Sequence, residues 1–255
     1  TLGETGVTPA LAILRVGERP DDLAYERGAV KRCEKLGVEV RKLILSADCT
    51  QAELMDAVRS VNEDAGIHGL LMLRPLPKTL DEQAACEALR PEKDVDCITS
   101  GSLARVFTGK GAGYPPCTAQ ACLEILEHYG CDLDGKRVTV VGRSLVIGKP
   151  VAMLLLARNA TVTICHTHTR DLAAECRKAE VLIVAAGKAG AVDGSCVSPG
   201  QTVIDVGIHV DADGKMRGDA DFDSVEPVVA AVTPVPGGVG TVTSTVLAGH
   251  VIEAA

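Results

Sequence analysis

The chain has 255 residues, with 34 acidic against 26 basic side chains and a formal net charge of −8. No Lys/Arg run is present to neutralise phosphates, which argues against a nucleic-acid footprint. An aromatic content of 2% with no Trp argues against bases stacked along a single strand. That length can bury a large core, as one big α/β unit or two modest domains. The charges are scattered, as on a solvated surface, and neither a signal peptide nor an apolar run of membrane-spanning length is seen. Ten cysteines include no C-x-x-C pair, and no Cys/His spacing fits a zinc site. Cys33, Cys49, Cys86, Cys97, Cys122 and Cys165 sit in apolar or helical runs, so they read as reduced structural thiols of a cytoplasmic protein, with no metal site.

In chain order, Leu11–Val16 reads as a buried strand followed by the turn Gly17–Pro20. Asp21–Leu36 reads as a helix with Asp21 or Asp22 as N-cap and Gly37 as its stop. Val38–Leu45 is a second strand. Thr50-Gln-Ala-Glu53 is a capping box opening a helix whose apolar face carries Leu54, Ala57, Val58 and Val61. Gly69–Leu73 is a third strand, stopped by Arg74-Pro-Leu-Pro77, and Thr79-Leu-Asp-Glu82 reads as a second capping box. Such alternation predicts an α/β fold with mostly parallel sheet and helices on both faces.

The Gly/Pro-rich stretch Lys110–Pro116 interrupts the alternation and marks a hinge. A second series follows: helix Thr118–His128, strand Arg137–Val141, helix Pro150–Arg158, strand Thr161–Cys165, helix Arg170–Lys178, strands Val181–Ala186 and Gln201–Val206. The loop Thr233–Gly240 leads to a last helix over Ser244–Ala255. The domains are expected at 1–115 with 241–255, and at 116–240.

Strand Arg137–Val141 runs into Gly142-Arg-Ser-Leu-Val-Ile-Gly148-Lys-Pro150 and then a helix. Such a loop offers backbone N–H groups and a positive dipole end to a phosphate. The G-x5-G spacing differs from the usual dinucleotide fingerprint, so an ordinary βα turn is the plain alternative. An NAD site usually has an acidic residue at the end of the next strand. Here that strand ends in His166-Thr-His-Thr-Arg170. Arg143 with hydroxyl and imidazole donors, Thr167 and His168 among them, suits a 2′-phosphate, so the pattern favours NADP. The plain reading of His166 and His168 is a pair of exposed loop histidines.

Several segments together resemble the methylenetetrahydrofolate dehydrogenase/cyclohydrolase family: Pro91-Glu-Lys-Asp-Val-Asp96, Pro116-Cys-Thr118, Val141-Gly-Arg-Ser144 with Gly148 and Pro150, Val206-Gly-Ile208, Gly218-Asp219 and Thr233-Pro-Val-Pro-Gly-Gly-Val-Gly240. The resemblance runs from Pro9 to the C-terminus and implies a further helix ahead of this chain's start. It implies two α/β domains, the second a Rossmann-type NADP-binding domain, with a folate cleft between them, and a homodimer acting on tetrahydrofolate one-carbon derivatives. By position, Tyr25 lines the pteridine and Asp96 grips its ring nitrogens. Pro236, Gly237 and Gly238 close over folate and nicotinamide. Gly142, Arg143, Ser144, Gly148, Thr167, His168 and Ile208 fall on cofactor positions. Read from residues alone, Asp96 is a capping or turn aspartate and Thr233–Gly240 a rigid connection.

The chain departs from the family at one cluster. The family reads Y-V-x-x-K where this chain has Tyr25-Glu-Arg-Gly-Ala29, so Ala29 stands at the lysine that activates water in bifunctional members. Lys31 lies about 200° round the helix and cannot replace it. Leu73 stands at the family's glutamine, and Asp22 at the serine before the tyrosine. These changes predict a dehydrogenase that has lost cyclohydrolase activity. The rivals are a bifunctional enzyme using Arg74 or Asp22, a catalytically silent folate or nucleotide binder, and an unrelated Rossmann-type dehydrogenase.

Overall fold

The computed structural model describes residues 6–211 and 213–255. It divides into two compact units, one running to Cys117 and rejoined by Ser244–Ala255, the other spanning Thr118–Thr243. The chain passes between them just beyond the Lys110–Pro116 stretch, inside the first turn of a helix that starts at Cys117.

The first unit contains β1 (Ala10–Val16), α1 (Pro20–Lys35), β2 (Glu39–Leu45), α2 (Gln51–Glu63), β3 (Gly69–Met72), α3 (Glu82–Glu87) and α4 (Ser100–Thr108). Its sheet has the order β2-β1-β3 and is parallel throughout. Every residue of β1 is buried, as a central parallel strand requires. Leu14, Leu70 and Met72 pack with Leu54, Val58 and Val61 of α2 in one core.

Helix α1 does not use an aspartate cap. Its N-cap is Arg19 and Pro20 occupies the first turn, where a missing N–H costs nothing. Asp21 and Asp22 therefore lie inside that turn, against the positive end of the helix. The Thr50–Glu53 capping box forms with both reciprocal bonds. The expected second box does not. Asp81 caps α3 by accepting from the Ala84 N–H, and Glu82 turns back to accept from the Leu76 N–H at 2.7 Å. Helix α4 was not expected from the sequence. It is nine residues long and opens on Ser100-Gly-Ser102, weak helix formers, so the short apolar stripe of Leu103, Val106 and Phe107 stands out poorly from the sequence.

The second unit contains α5 (Cys117–His128), β4 (Arg137–Val141), α6 (Gly148–Leu156), β5 (Thr161–Cys165), α7 (Leu172–Arg177), β6 (Val181–Val184), β7 (Thr202–Asp205), the two-residue strands β8 (His209–Val210) and β9 (Met216–Arg217), α8 (Phe222–Val225), β10 (Ala231–Val232) and the start of α9 (Val239–Ala254). The five-stranded sheet has the order β10-β7-β6-β4-β5, all parallel. Because β5 and β6 flank β4, the strand order reverses there, which is where α/β sheets open a crevice at the carboxyl ends of their strands. Helix α6 starts at Gly148 instead of Pro150, α7 is capped by Asp171, and α9 starts at Val239, ahead of the expected Ser244. The β8–β9 hairpin, α8 and β10 are too short to leave a periodic signal.

All ten cysteines are free thiols, with Cys49 and Cys131 half-buried and the other eight buried. In the native protein, a thiol titration at neutral pH should reach Cys49 and Cys131 first, and all ten only after denaturation. Fewer than ten thiols in denatured, unreduced protein would contradict this structure.

Candidate functional site

In the first unit, a concavity of about 280 Å³ opens at the carboxyl end of β3 and the start of α1. Tyr25 and Asp22 line it from α1, Leu73 and Arg74 from the end of β3, and Asp96 from the segment after the 3₁₀ turn Pro91–Lys93. Arg19 and Asp21 complete its polar rim. The sequence-predicted Tyr25, Asp96, Asp22 and Leu73 are thus brought together. Ala29 is not among the lining residues. It is 3% exposed, on the same buried face of α1 as Asp22, Glu26 and Cys33.

Asp96 is held by its neighbours. Burial pushes its carboxyl above the ordinary aspartate range, while Cys117, which donates hydrogen bonds to it, and the positive charge of Arg74 pull the other way. The Tyr25 phenol is raised by partial burial and by the charge of Asp96, so it stays neutral and able to donate. Cys117 also donates to the Val95 carbonyl at 3.2 Å, and His250 of α9 meets that carbonyl at 2.8 Å. Beneath this loop Asp94 is fully buried. Its carboxylate accepts from the Ile98 N–H, the Thr99 N–H and the Thr99 hydroxyl at 2.8, 2.9 and 2.7 Å.

In the second unit the glycine loop is built by close backbone approach. A Cβ on Gly142 (φ +127°) would lie 2.0 Å from the Ala185 carbonyl oxygen, and one on Gly148 would lie 2.3 Å from the Gly142 carbonyl. Both positions exclude any larger residue, the close backbone approach that dinucleotide-binding loops also use. The Ser144 hydroxyl accepts from the Ile147 N–H at 3.1 Å, shaping the turn, and Arg143 is exposed. The Gly142 N–H donates to Cys165 O, placing the loop beside the end of β5. There His166 and Thr169 close a turn on each other, and Thr167 and His168 are exposed. The nearest following acid, Asp171, is engaged as the cap of α7.

Asp205, which sequence reasoning passed over, organises the remaining motifs. Its buried carboxylate accepts from the N–H groups of Gly207, Asp219 and Ala220 at 3.0, 2.9 and 2.9 Å. Its own N–H donates to the Thr233 hydroxyl at 2.8 Å. Val206–Ile208, Gly218–Asp219 and the start of the Thr233 loop are therefore tied at one carboxylate. The signal was an aspartate at the carboxyl end of a buried strand. Ile208 is exposed, Pro236 and Gly237 are exposed, and Gly238 is packed so that a Cβ would meet the Pro234 carbonyl at 2.4 Å. Among the described residues no cluster of three or more His, Cys, Asp or Glu side chains could hold a metal ion, and no helix is long and apolar enough to cross a membrane.

A parallel sheet with a glycine cradle at its switch point, joined in one chain to a second α/β unit carrying an acid-lined pocket, defines a nucleotide-binding α/β protein with a separate small-molecule site. Comparison with known proteins makes this specific. Residues 1–96 match Tetrahydrofolate dehydrogenase/cyclohydrolase, catalytic domain, and residues 116–255 match Tetrahydrofolate dehydrogenase/cyclohydrolase, NAD(P)-binding domain. The chain belongs to the tetrahydrofolate dehydrogenase/cyclohydrolase family. It is 51% identical over 253 residues to the Bifunctional protein FolD of Clostridioides difficile, covering 99% of this chain and 88% of the relative. The crystal structure of the Campylobacter jejuni bifunctional methylenetetrahydrofolate dehydrogenase/cyclohydrolase is similar at a TM-score of 0.96 and 34% identity, over 99% of this chain and 90% of that one. The Trypanosoma brucei enzyme, complexed with NADP cofactor and inhibitor, is similar at 0.91 and 35%, over 99% and 88%.

Replacing Asp94 by Ala should lower stability by about 3 kcal/mol, since it strands buried N–H donors. Denaturant unfolding of Asp94→Ala beside the parent measures this, and a change below about 1 kcal/mol would show that Asp94 does not hold the Asp96 loop.

Proposed function

We propose that the chain oxidises 5,10-methylenetetrahydrofolate with NADP and does not hydrolyse the methenyl product. One observation carries the second half. The pocket retains Tyr25 and Asp96 and is lined by no lysine and no amide, while Ala29 is packed away and Leu73 covers the glutamine position with hydrocarbon.

In this reading the first unit is the folate-binding part and the second the NADP-binding part. Asp96 accepts N–H donors from the guanidine-like edge of the pterin, for which a carboxylate has two suitable oxygens. Tyr25 packs on the ring system. Gly142, Ser144 and Gly148 receive the cofactor phosphates, and Arg143, Thr167 and His168 its 2′-phosphate, with no carboxylate there to repel it. Ile208, Pro236, Gly237 and Gly238 supply the remaining contacts. The bound nicotinamide supplies the acceptor for the hydride leaving the methylene carbon. The adjacent folate nitrogen stabilises the cation that forms, so this step needs no protein acid or base, only positioning. We place the enzyme in the cytoplasm as a homodimer. The NADP complex of the Trypanosoma brucei relative supports the cofactor assignment.

The name of the Clostridioides difficile relative favours a second reading, a bifunctional enzyme. Arg74 or Asp22 would then replace the lysine. Arg74 faces Glu82 at 3.6 Å, and a guanidinium does not give up its proton near neutral pH.

Arg143→Ala should weaken NADP binding by about 1.5–3 kcal/mol, the scale of a charge-assisted hydrogen bond, and leave NAD binding nearly unchanged. Equal losses in titrations of both cofactors would sink the 2′-phosphate assignment.

Hydrolysis separates the two readings. Attack of water on the methenyl carbon and collapse of the adduct need proton transfers, so the parent should leave the methenyl absorbance decaying at its spontaneous rate. Ala29→Lys with Leu73→Gln should accelerate that decay measurably, and Ala29→Lys alone much less. Parent protein that clears the signal well above background establishes the bifunctional reading instead.

A further inference from the structure

We propose that the Asp22 carboxylate stabilises the positive charge that hydride removal leaves on the folate, making this pocket selective for the methenyl cation over uncharged folate states. The inference rests on the functional reading above. In the reaction, a C–H bond of the bridging carbon breaks and the hydrogen leaves with both electrons to the oxidised nicotinamide. The folate gains one positive charge, shared by the two nitrogens that flank that carbon. A carboxylate fixed beside it favours the transition state over the ground state, because the charge it meets exists only as the hydride departs.

Three observations point to Asp22. It lines the same pocket as Tyr25 and Asp96, three residues before Tyr25 and so on one face of α1. Its side chain is 8% exposed, yet among the described residues no donor forms a hydrogen bond to its carboxylate. The one cation near it is Arg19, whose Nε stands 3.6 Å away, longer than a charge-assisted hydrogen bond. Arg19 is pinned instead through Nη1 to the Pro75 carbonyl at 2.6 Å. Arg74, the other cation of the pocket, faces Glu82. Asp22 stands in the first turn of α1, where the positive helix end favours a negative side chain.

The substitutions agree in sign. Where the family has lysine, Ala29 removes a positive charge, and where it has serine, Asp22 adds a negative one. Asp22 makes the pocket more hospitable to a cation, and Ala29, buried outside its lining, brings no positive charge to that face of α1. A pocket that no longer has to activate water is free to be tuned for the charge of the dehydrogenase step.

The test compares Asp22→Asn, Asp22→Ser and Asp22→Glu with the parent. Binding of 5,10-methenyltetrahydrofolate and of tetrahydrofolate, which lacks the cationic bridge, is titrated without cofactor in a mildly acidic buffer where the methenyl ring persists. Steady-state oxidation of methylenetetrahydrofolate is measured alongside. Asp22→Asn and Asp22→Ser should bind the methenyl cation about tenfold more weakly and tetrahydrofolate within about twofold of the parent. Their kcat should fall about tenfold with KM nearly constant. Asp22→Glu should keep most of the preference for the cation. Equal changes for both ligands, or unchanged binding and kcat in a folded Asp22→Ser protein, would overturn the inference while leaving the dehydrogenase assignment intact. A parent protein that binds neither folate overturns both.

Discussion

Two carboxylates taken out of water, one in each unit, are each met by several donors, and the irregular backbone around both sites hangs on them. Asp94 collects two backbone N–H groups and a hydroxyl, and the peptide it gathers holds Asp96 at the pocket. Asp205 collects three N–H groups from two loops and takes the Thr233 hydroxyl with its own N–H. Neither aspartate is assigned to ligand. Each converts irregular backbone, which has no ladder of its own, into a rigid piece with its polar groups satisfied. Gly207 and Gly218 follow from the same constraint, since a Cβ on either would collide with Asp219 or with the Asp205 carboxylate.

The pocket of the first unit shows how a few side chains set chemical character without altering the frame. Three carboxylates and two guanidinium groups share it, and both guanidinium groups have partners elsewhere. The buried face of α1 also carries Glu26, which meets Arg15 at 2.9 Å and Lys42 at 2.7 Å. These two cations hold the Glu26 carboxyl below its ordinary range against the burial that would raise it. Folding therefore gains from this triad above the usual glutamate range, and the gain is lost as the pH falls through the lowered value. The triad fixes α1 to the sheet one residue from Tyr25 and leaves the ring-bearing face free.

Much of this was legible in the sequence because it rests on local rules. Strand–helix alternation gave both parallel sheets, and the Thr50 box formed as read. The glycines at 142 and 148 stood where backbone approach forbids a side chain. What was missed has physical reasons as well. Pro20 displaced the expected aspartate cap, because a residue without an N–H is most at home at the first helical position. Glu82 abandoned its box because the Leu76 N–H competed for it. Helix α4 is short and opens on Ser100-Gly-Ser102, so its apolar stripe is too brief to stand out as a period. Arg19 and Arg74 joined the pocket through tertiary placement, which no spacing encodes, and Asp205 looked like an ordinary strand-end residue until the loops it binds were in view.

The first unit is discontinuous in the chain, and this has a consequence for biosynthesis. Val251 of α9 lies 3.3 Å from where a Gly69 Cβ would stand, and His250 meets the Val95 carbonyl. These groups leave the ribosome only after all of Thr118–Thr243 has been made. The second unit is contiguous and needs no later segment of the chain to close. The first, although translated earlier, keeps an uncovered edge beside the Asp96 loop until α9 emerges. Order of manufacture and order of completion are thus reversed for these two units: the one begun first is closed by a helix made after the other.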